Sequence, residues 1–420
     1  MKKTCLILLV GIASLKGYSQ TAPVAPAAPA NDYSVSLYGF VRTDYIFDSR
    51  KSAMAREDQL NLYPMDIALD SKGKDANAVP QSNFLSVTSR LGVKVKGQDV
   101  WGAKMSGTLE GDFYATVEAN IGSFRLRHAY VSMDWAKTSL TMGQTWYPTF
   151  IPEVFPGVAN FNTGIMFNPF GWATQAKLKQ ALSKEVSLTV TAYKEREFAA
   201  ATAGGAANAP TINSVLPTLN GQLQYKGKKI FLGAGFEYKS LQPLTDNGLT
   251  PKLVSTEKVN STSVFAYGKY ANDKITIKAY GISGGNMNNL VMVGGFTGTT
   301  NAGIQSYDPT KTTSMWVDIA SNGKSIAPGF FFGTTKNNGS DKAAGTLAQI
   351  YGRGLSSTRI IDNVWRASTR VDFKKNKFRV SPELELTTAE WGDTDLFAKA
   401  TTNMKKVTNF RTMISCVYTF

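Results

Sequence analysis

Residues 85–96 read LSVTSRLGVKVK. Leu85, Val87, Leu91, Val93 and Val95 alternate with Ser86, Thr88, Arg90, Lys94 and Lys96. Side chains of a strand point to opposite faces in turn, so this alternation describes a strand with one apolar and one polar face. The same rhythm starts at Ser34, where Val35, Leu37, Val41, Tyr45 and Phe47 share a face opposite Ser36, Arg42 and Asp44. It recurs to the end of the chain. Sixteen runs follow it, at 34–48, 83–97, 103–119, 123–134, 138–146, 171–180, 185–197, 217–226, 229–241, 259–271, 274–283, 313–321, 326–336, 363–373, 377–391 and 405–420.

The gaps between runs alternate in length. Long ones (49–82, 147–170, 198–216, 242–258, 284–312, 337–362, 392–404) are separated by turns of a few residues. Only 120–122 breaks the rhythm, being short where a long gap is due. Long loops at one end and tight turns at the other are the layout of a transmembrane antiparallel β-barrel, with the long loops outside the cell. A hydrophobic/polar alternation keeps the mean hydropathy near neutral, as it is here. Pairing across three turns fits this layout. With Gly227-Lys228, Asn272-Asp273 and Lys375-Asn376 as the central turn residues, each strand faces its neighbour like to like. The last of these opposes Asp372 to Arg379 and Arg366 to Glu385.

The first residues fix the compartment. Lys2 and Lys3 precede an apolar run from Cys5 to about Leu15, and Gly17 and Ser19 mark a cleavage site before Gln20. The run is shorter than the ~20 residues a membrane helix needs, so residues 1–19 read as a secretory signal peptide. Residues 20–33, which include TAPVAPAAPA, read as an extended Pro/Ala linker, and 34–420 as the barrel. The destination is the outer membrane of a Gram-negative bacterium, reached after cleavage. There the chain is embedded among lipid and lipopolysaccharide. Cys5 leaves with the leader and Cys416 remains alone, so no internal disulfide staples the fold.

The 420 residues carry a net charge of +15, three of them on Lys2, Lys3 and Lys16, leaving +12 on the mature chain. The basic residues are spread singly along strands rather than in blocks, which for an exported protein points to small anionic solutes and not to nucleic acid. Arg42, Arg90, Lys94, Arg125, Arg127, Arg366, Arg370, Arg379 and Arg411 fall on polar faces and are candidates to line an aqueous channel. Ion pairing between neighbouring strands is the competing use of these charges, supported for the later group by the two oppositions above. The loop 147–170 has four prolines and many aromatics. It is too apolar to stand in water, so it is expected to fold into the lumen as a constriction, with Phe150, Glu153, Phe155, Phe161 and Asn162 at its core. Glu153 is expected to face the basic wall. His128 is the only histidine and reads as structural; Val131 and Met133 share a face with Arg127, so a bulge is expected nearby. No motif of a nucleotide, metal-hydrolase or serine-hydrolase site appears. The expectation is therefore no enzyme, no metal and no cofactor.

Several segments resemble the DcaP-type trimeric porins within the wider Gram-negative porin superfamily. They are LYGFVRTDYIFDSR (37–50), FRLRHAYVSMDW (124–135), LTMGQTWYPTF (140–150), GFFFGTTKNNGS (329–340) and VSPELELTTAEWG (380–392). The resemblance implies a sixteen-strand barrel, a third long loop in the lumen, a homotrimer, and passage of small anionic solutes. It departs from the family at the N-terminus, where a linker stands in place of a coiled coil. Tyr418 and the terminal Phe420, on the apolar face of the last run, resemble the signal read by the barrel-assembly machinery. A non-conducting surface barrel acting through its outer loops, in adhesion or phage binding, is the other reading the sequence allows.

Overall fold

The computed structural model of the chain describes residues 33–420. The expected signal peptide (1–19) and the expected linker (20–33), Tyr33 apart, lie outside the described residues.

Sixteen antiparallel strands form one closed wall. They are β1 (Ser34–Asp48), β2 (Gln81–Leu85 and Arg90–Lys96), β3 (Lys104–Asp112), β4 (Arg125–Asp134), β5 (Thr138–Trp146), β6 (Trp172–Ala181), β7 (Val186–Glu195) and β8 (Thr218–Lys226). Then follow β9 (Ile230–Leu241), β10 (Val259–Ala271), β11 (Ile275–Gly285), β12 (Lys311–Ser321), β13 (Ile326–Gly339), β14 (Arg359–Lys375), β15 (Phe378–Thr394) and β16 (Ala400–Thr419). Each pairs with the next, and β1 pairs with β16 from Phe40↔Thr419 to Asp48↔Arg411, which removes both sheet edges. Phe420 donates its N–H to the carbonyl of Gly39 at 3.1 Å, and its ring lies where a Cβ on Gly39 would stand, sealing the seam. All sixteen runs read from the sequence are wall strands.

Alternation sorts the faces. Val35, Leu37, Val41 and Tyr45 are exposed on the outside, while Arg42, Asp44 and Asp48 are buried inside. The outer surface is apolar along most strands, with Leu188, Val190, Leu223, Phe236, Met315, Phe330, Leu384 and Ile414 exposed. Such a belt suits lipid and leaves every backbone group paired within the wall.

Three details differ from the expectations of the sequence. The stretch 85–96 is not one uninterrupted strand. β1 pairs Ser34↔Lys96 to Phe40↔Arg90, then Asp44↔Leu85 to Asp48↔Gln81, so β2 carries one extra residue. That slip exchanges the faces. Phe84 is 70% exposed outside and Leu85, 8% exposed, points inward with Val87, away from the face of Leu91. The run 103–119 stops at Asp112, and 113–124 form a loop of ordinary length, which restores the rhythm broken at 120–122. The three hairpins are each displaced by two from the expected register, with Lys228-Lys229, Asp273-Lys274 and Asn376-Lys377 at the centre. A shift of two preserves the faces, which is why the like-to-like test could not see it. At Asn272 the cause is visible: its side chain accepts from the N–H of Lys274 and Ile275, placing Asn272 at the first position of the turn rather than the second. Arg366–Glu385 (3.2 Å) and Arg379–Asp372 (4.0 Å) still meet, as diagonal neighbours.

The expected bulge in β4 is present. Register shifts at Glu110/Gly111, and Arg127 and His128 both face inward. This returns Val131 and Met133 to the outer face.

Candidate functional site

The lumen is divided by the loop 147–170, the third long loop. Its residues are largely buried inside the barrel, with Phe150, Phe161, Ile165, Met166 and Phe167 all below a tenth exposed. Prolines and aromatics cannot satisfy themselves in water, so the loop seats against an aromatic ladder on the inner wall. Phe265, Tyr267, Tyr280, Trp316 and Phe331 follow one another along β10–β13 at ring separations of 6.1–6.3 Å. Polar anchors fix its path. Tyr280 donates to the carbonyl of Thr149 (3.0 Å), Trp316 to Asn168 (3.1 Å) and Lys278 to the carbonyl of Phe155 (3.0 Å). On the far wall Glu383 accepts the N–H of Ala159 at 2.7 Å, and Arg42 donates to the carbonyl of Ala159 at 2.7 Å.

The candidate constriction residues lie within this loop, in unlike settings. Phe150 stacks on Trp146 (4.1 Å, 18°) and on Phe155. Phe161 lies under the Arg42 guanidinium at 5.5 Å. Asn162 donates to the side chain of Asn61 at 2.6 Å. Glu153 is exposed to the lumen and has no ion pair within 4 Å among the described residues.

Asn61 belongs to a second infolded element that the sequence reading placed outside. Ser52–Ala55 and Leu60–Pro64 form a hairpin in the first loop, and Leu60, Asn61 and Leu62 are buried in the lumen. The Asn61 amide donates to Glu385 at 2.6 Å, and Arg366 donates to the carbonyls of Asn61 and Leu62. The signal was local: Leu60 and Leu62 alternate with Asn61 inside a segment taken as a surface loop.

All nine candidate basic residues face inward, but they divide sharply. Six are buried and paired. Arg42 binds Asp44 (2.8 Å), Arg125 binds Asp112 (2.7 Å) and Glu197, and Arg127 binds Glu110 (2.8 Å) and Asp112 (3.1 Å). Arg366 binds Glu385 (3.2 Å), Arg370 binds Asp318 (2.9 Å) and Arg411 binds Asp48 (2.6 Å). Arg125 and Arg127 also lie over the ring of Trp172 at 4.8 and 4.6 Å. Each of these six is at most 8% exposed, so as placed they structure the wall and loops rather than meet a passing solute. Except for Asp44, which shares a run with Arg42, the carboxylates that neutralise them come from other strands and a loop, which no single run displays. Arg90 sits 3.5 Å from Glu110, and only Lys94 and Arg379 of the nine retain substantial exposure. His128 is held between Thr145 (3.1 Å) and Glu110 (3.7 Å). Among the described residues no group of three or more His, Cys, Asp or Glu side chains is placed to hold a metal ion.

The free cations are lysines, at the turn end below the loop. Lys94, Lys177, Lys179, Lys269, Lys278 and Lys374 lie on inward-facing positions and have no carboxylate within 4 Å among the described residues. Lys269 stands directly opposite Lys278. Two cavities open here. One of about 450 Å³ is bordered by Lys94, Lys177, Tyr38, Tyr130, His128 and Pro152. The other, about 570 Å³, is bordered by Phe40, Arg42, Lys374, Lys377 and Arg379. Of these lysines only Lys94 was singled out from the sequence. The others sit in runs where a lysine near a turn reads as an ordinary solvated end.

A closed sixteen-strand wall, short turns at one end and an infolded third loop can be compared with solved structures. The outer membrane channel DcaP of Acinetobacter baumannii superposes with a TM-score of 0.68 over 94% of this chain and 99% of that one, at 17% identity. This chain has the porin fold. An anion-selective porin from Comamonas acidovorans matches with a TM-score of 0.53, covering 92% of this chain and 100% of that one at 12% identity. OmpT of Vibrio cholerae gives 0.52 over 94% and 100%, also at 12% identity. No family model and no curated protein matches the sequence.

Proposed function

We propose that this protein is an outer-membrane porin for passive diffusion of small hydrophilic solutes, with a preference for anions set by the lysines below the constriction. One observation carries the reading. Lys278 also anchors the loop through the Phe155 carbonyl and faces Asp318 on its other side, but Lys269 and Lys278 oppose each other on adjacent strands, a like-charge arrangement that costs stability. It makes sense where a positive field is used. Unpaired charges in a narrow, partly desolvated passage act on an ion at close range, whereas the paired arginines present nearly neutral dipoles. Glu153, projecting from the loop, supplies the opposing sign across the passage. The turn end is the periplasmic end in this assignment, the leader is removed on export, Phe420 serves assembly, and subunits associate as a trimer through their walls.

The test is reconstitution of the purified barrel in planar bilayers across a salt gradient. The expected result is discrete ohmic steps and a reversal potential on the anion side. A reversal potential on the cation side removes the role of the lysines. Absence of any current favours the alternative, a closed surface barrel working through its loops.

A further inference from the structure

Residues 284–295 read GGNMNNLVMVGG, an eight-residue segment between two glycine pairs. It leaves the loop end of β11 and turns into the lumen rather than outward. Asn286, Met287, Asn289, Leu290, Val291, Met292 and Val293 are all buried, none more than 1% exposed. The segment reaches the constriction loop, where the Phe170 N–H donates to the carbonyl of Leu290 at 3.0 Å. Two infolded loops thus meet above the lysine-lined cavities.

Its fit is tight yet not a satisfied one. Asn286 (φ +51°) and Val291 (φ +61°) both occupy the left-handed region. For a β-branched valine that conformation is strongly disfavoured and persists only when the surroundings impose it. Both polar atoms of the Asn286 side chain are buried without a hydrogen-bond partner, and the nearby Glu195 Oε1 has only the Lys239 ammonium, at 3.9 Å. Buried polar groups are nearly always paired, so orphans concentrated beneath one segment call for a reason. Water reaching that floor would satisfy all of them. Lys239 on β9 donates to the carbonyl of Asn286 (2.7 Å) and to Oδ1 of Asn289 (2.6 Å), and is the one charged group among the contacts that seat the segment; neutral bonds run from Asn286 N–H to the carbonyl of Thr310, from Asn288 to the carbonyl of Ala199 and from Thr312 to the carbonyl of Val293. Glycine pairs bound the segment: Gly284 and Gly285 end β11 opposite Thr312 and Lys311, and Gly294 (φ +123°) and Gly295 are paired with Arg353 and Gly352, so the two ends are fixed and the glycines supply the backbone freedom at each.

We propose that Asn286–Val293 is a retractable plug. It hinges at Gly284-Gly285 and Gly294-Gly295, is latched by Lys239, and shuts the loop end of the lumen when seated. Strain and orphaned polar groups offset its apolar burial, leaving seated and lifted states close in free energy. The proposal rests on the channel reading above.

The full-length protein is compared in planar bilayers with three variants. In one, 286–293 is replaced by Gly-Ser-Gly. The second is Lys239→Met. The third is Met292→Cys in a Cys416→Ser background, treated from the loop side with a membrane-impermeant maleimide. The plug predicts a several-fold larger conductance for the replacement, a larger open fraction for Lys239→Met, and labelling of Met292→Cys at a rate that rises with open fraction. Equal conductance in parent and replacement, with Met292→Cys unlabelled while current flows, overturns the plug and leaves the channel standing. No current from any of the folded proteins overturns both. Should the replacement fail to fold, labelling of Met292→Cys decides alone.

Discussion

The arginines at and above the constriction and the lysines below it occupy the same inward face of one wall, and the sequence gives no hint that they differ. Around the arginines each of the six buried groups has a carboxylate, from its own strand (Arg42–Asp44), another strand or a loop, so the region behaves as a buried core crossed by ion pairs. Around the lysines no carboxylate is within reach, so the same charge stays available to the lumen. Position relative to the infolded loops, not residue count, decides which charges are neutralised. A net charge of +15 over the whole sequence therefore overstates the field at the constriction and says little about the field below it.

The contrast can be broken at its strongest point first. Arg411 is fully buried against Asp48 and donates to the carbonyl of Asp58. Arg411→Ala leaves a buried carboxylate alone and is expected to destabilise the barrel by about 3–5 kcal/mol. Lys177→Ala is expected to stay within about 0.5 kcal/mol. Thermal unfolding of the folded band in detergent compares the two, and a similar loss in both abolishes the distinction. The next effect concerns a whole pair. Arg370→Met with Asp318→Leu exchanges a buried ion pair for apolar contact. It is expected to be neutral or stabilising by up to about 4 kcal/mol, with the reversal potential of the parent. A shifted reversal potential shows that this pair does act on ions.

Smaller in energy but decisive for function is Lys94→Gln with Lys177→Gln and Lys374→Gln. A unit charge about 4 Å from an ion in water contributes roughly 1 kcal/mol, so the anion-to-cation permeability ratio is expected to fall about fivefold or more. An unchanged ratio returns selectivity to the arginines. Smallest is the effect of salt. The Debye length shrinks from about 10 Å at 0.1 M to about 3 Å at 1 M, so the anion preference of the parent is expected to weaken over that range. A preference that holds at high salt points to direct contact rather than a long-range field.

The wall was readable because lipid and water impose a period of two on every strand, whichever strand is its neighbour. The bulge at Arg127 and His128 was readable for the same reason: Val131 and Met133 violate the period. The slip between Leu85 and Arg90 was not, because Leu85 and Val87 are apolar in a position where the lumen itself is apolar. The hairpin registers failed by two because faces repeat every two residues, and only the side-chain bond of Asn272 and its like select among the remaining choices. The third loop was recognised from its prolines and aromatics. The hairpin at 52–64 and the segment at 286–293 read as outer loops from sequence alone, since polar Asn and Gln residues there mask short apolar stretches.

By itself the sequence determined a sixteen-strand wall, its loop and turn ends, its inward and outward faces, and one loop that could not remain in water. These follow from contacts each segment makes with solvent or lipid, which are encoded locally. Tertiary structure decided which charges are neutralised, which loops enter the lumen, and where free lysines remain. Those depend on residues hundreds of positions apart, such as Arg411 beside Asp48 and Asn61 beside Glu385, meeting only when the wall closes.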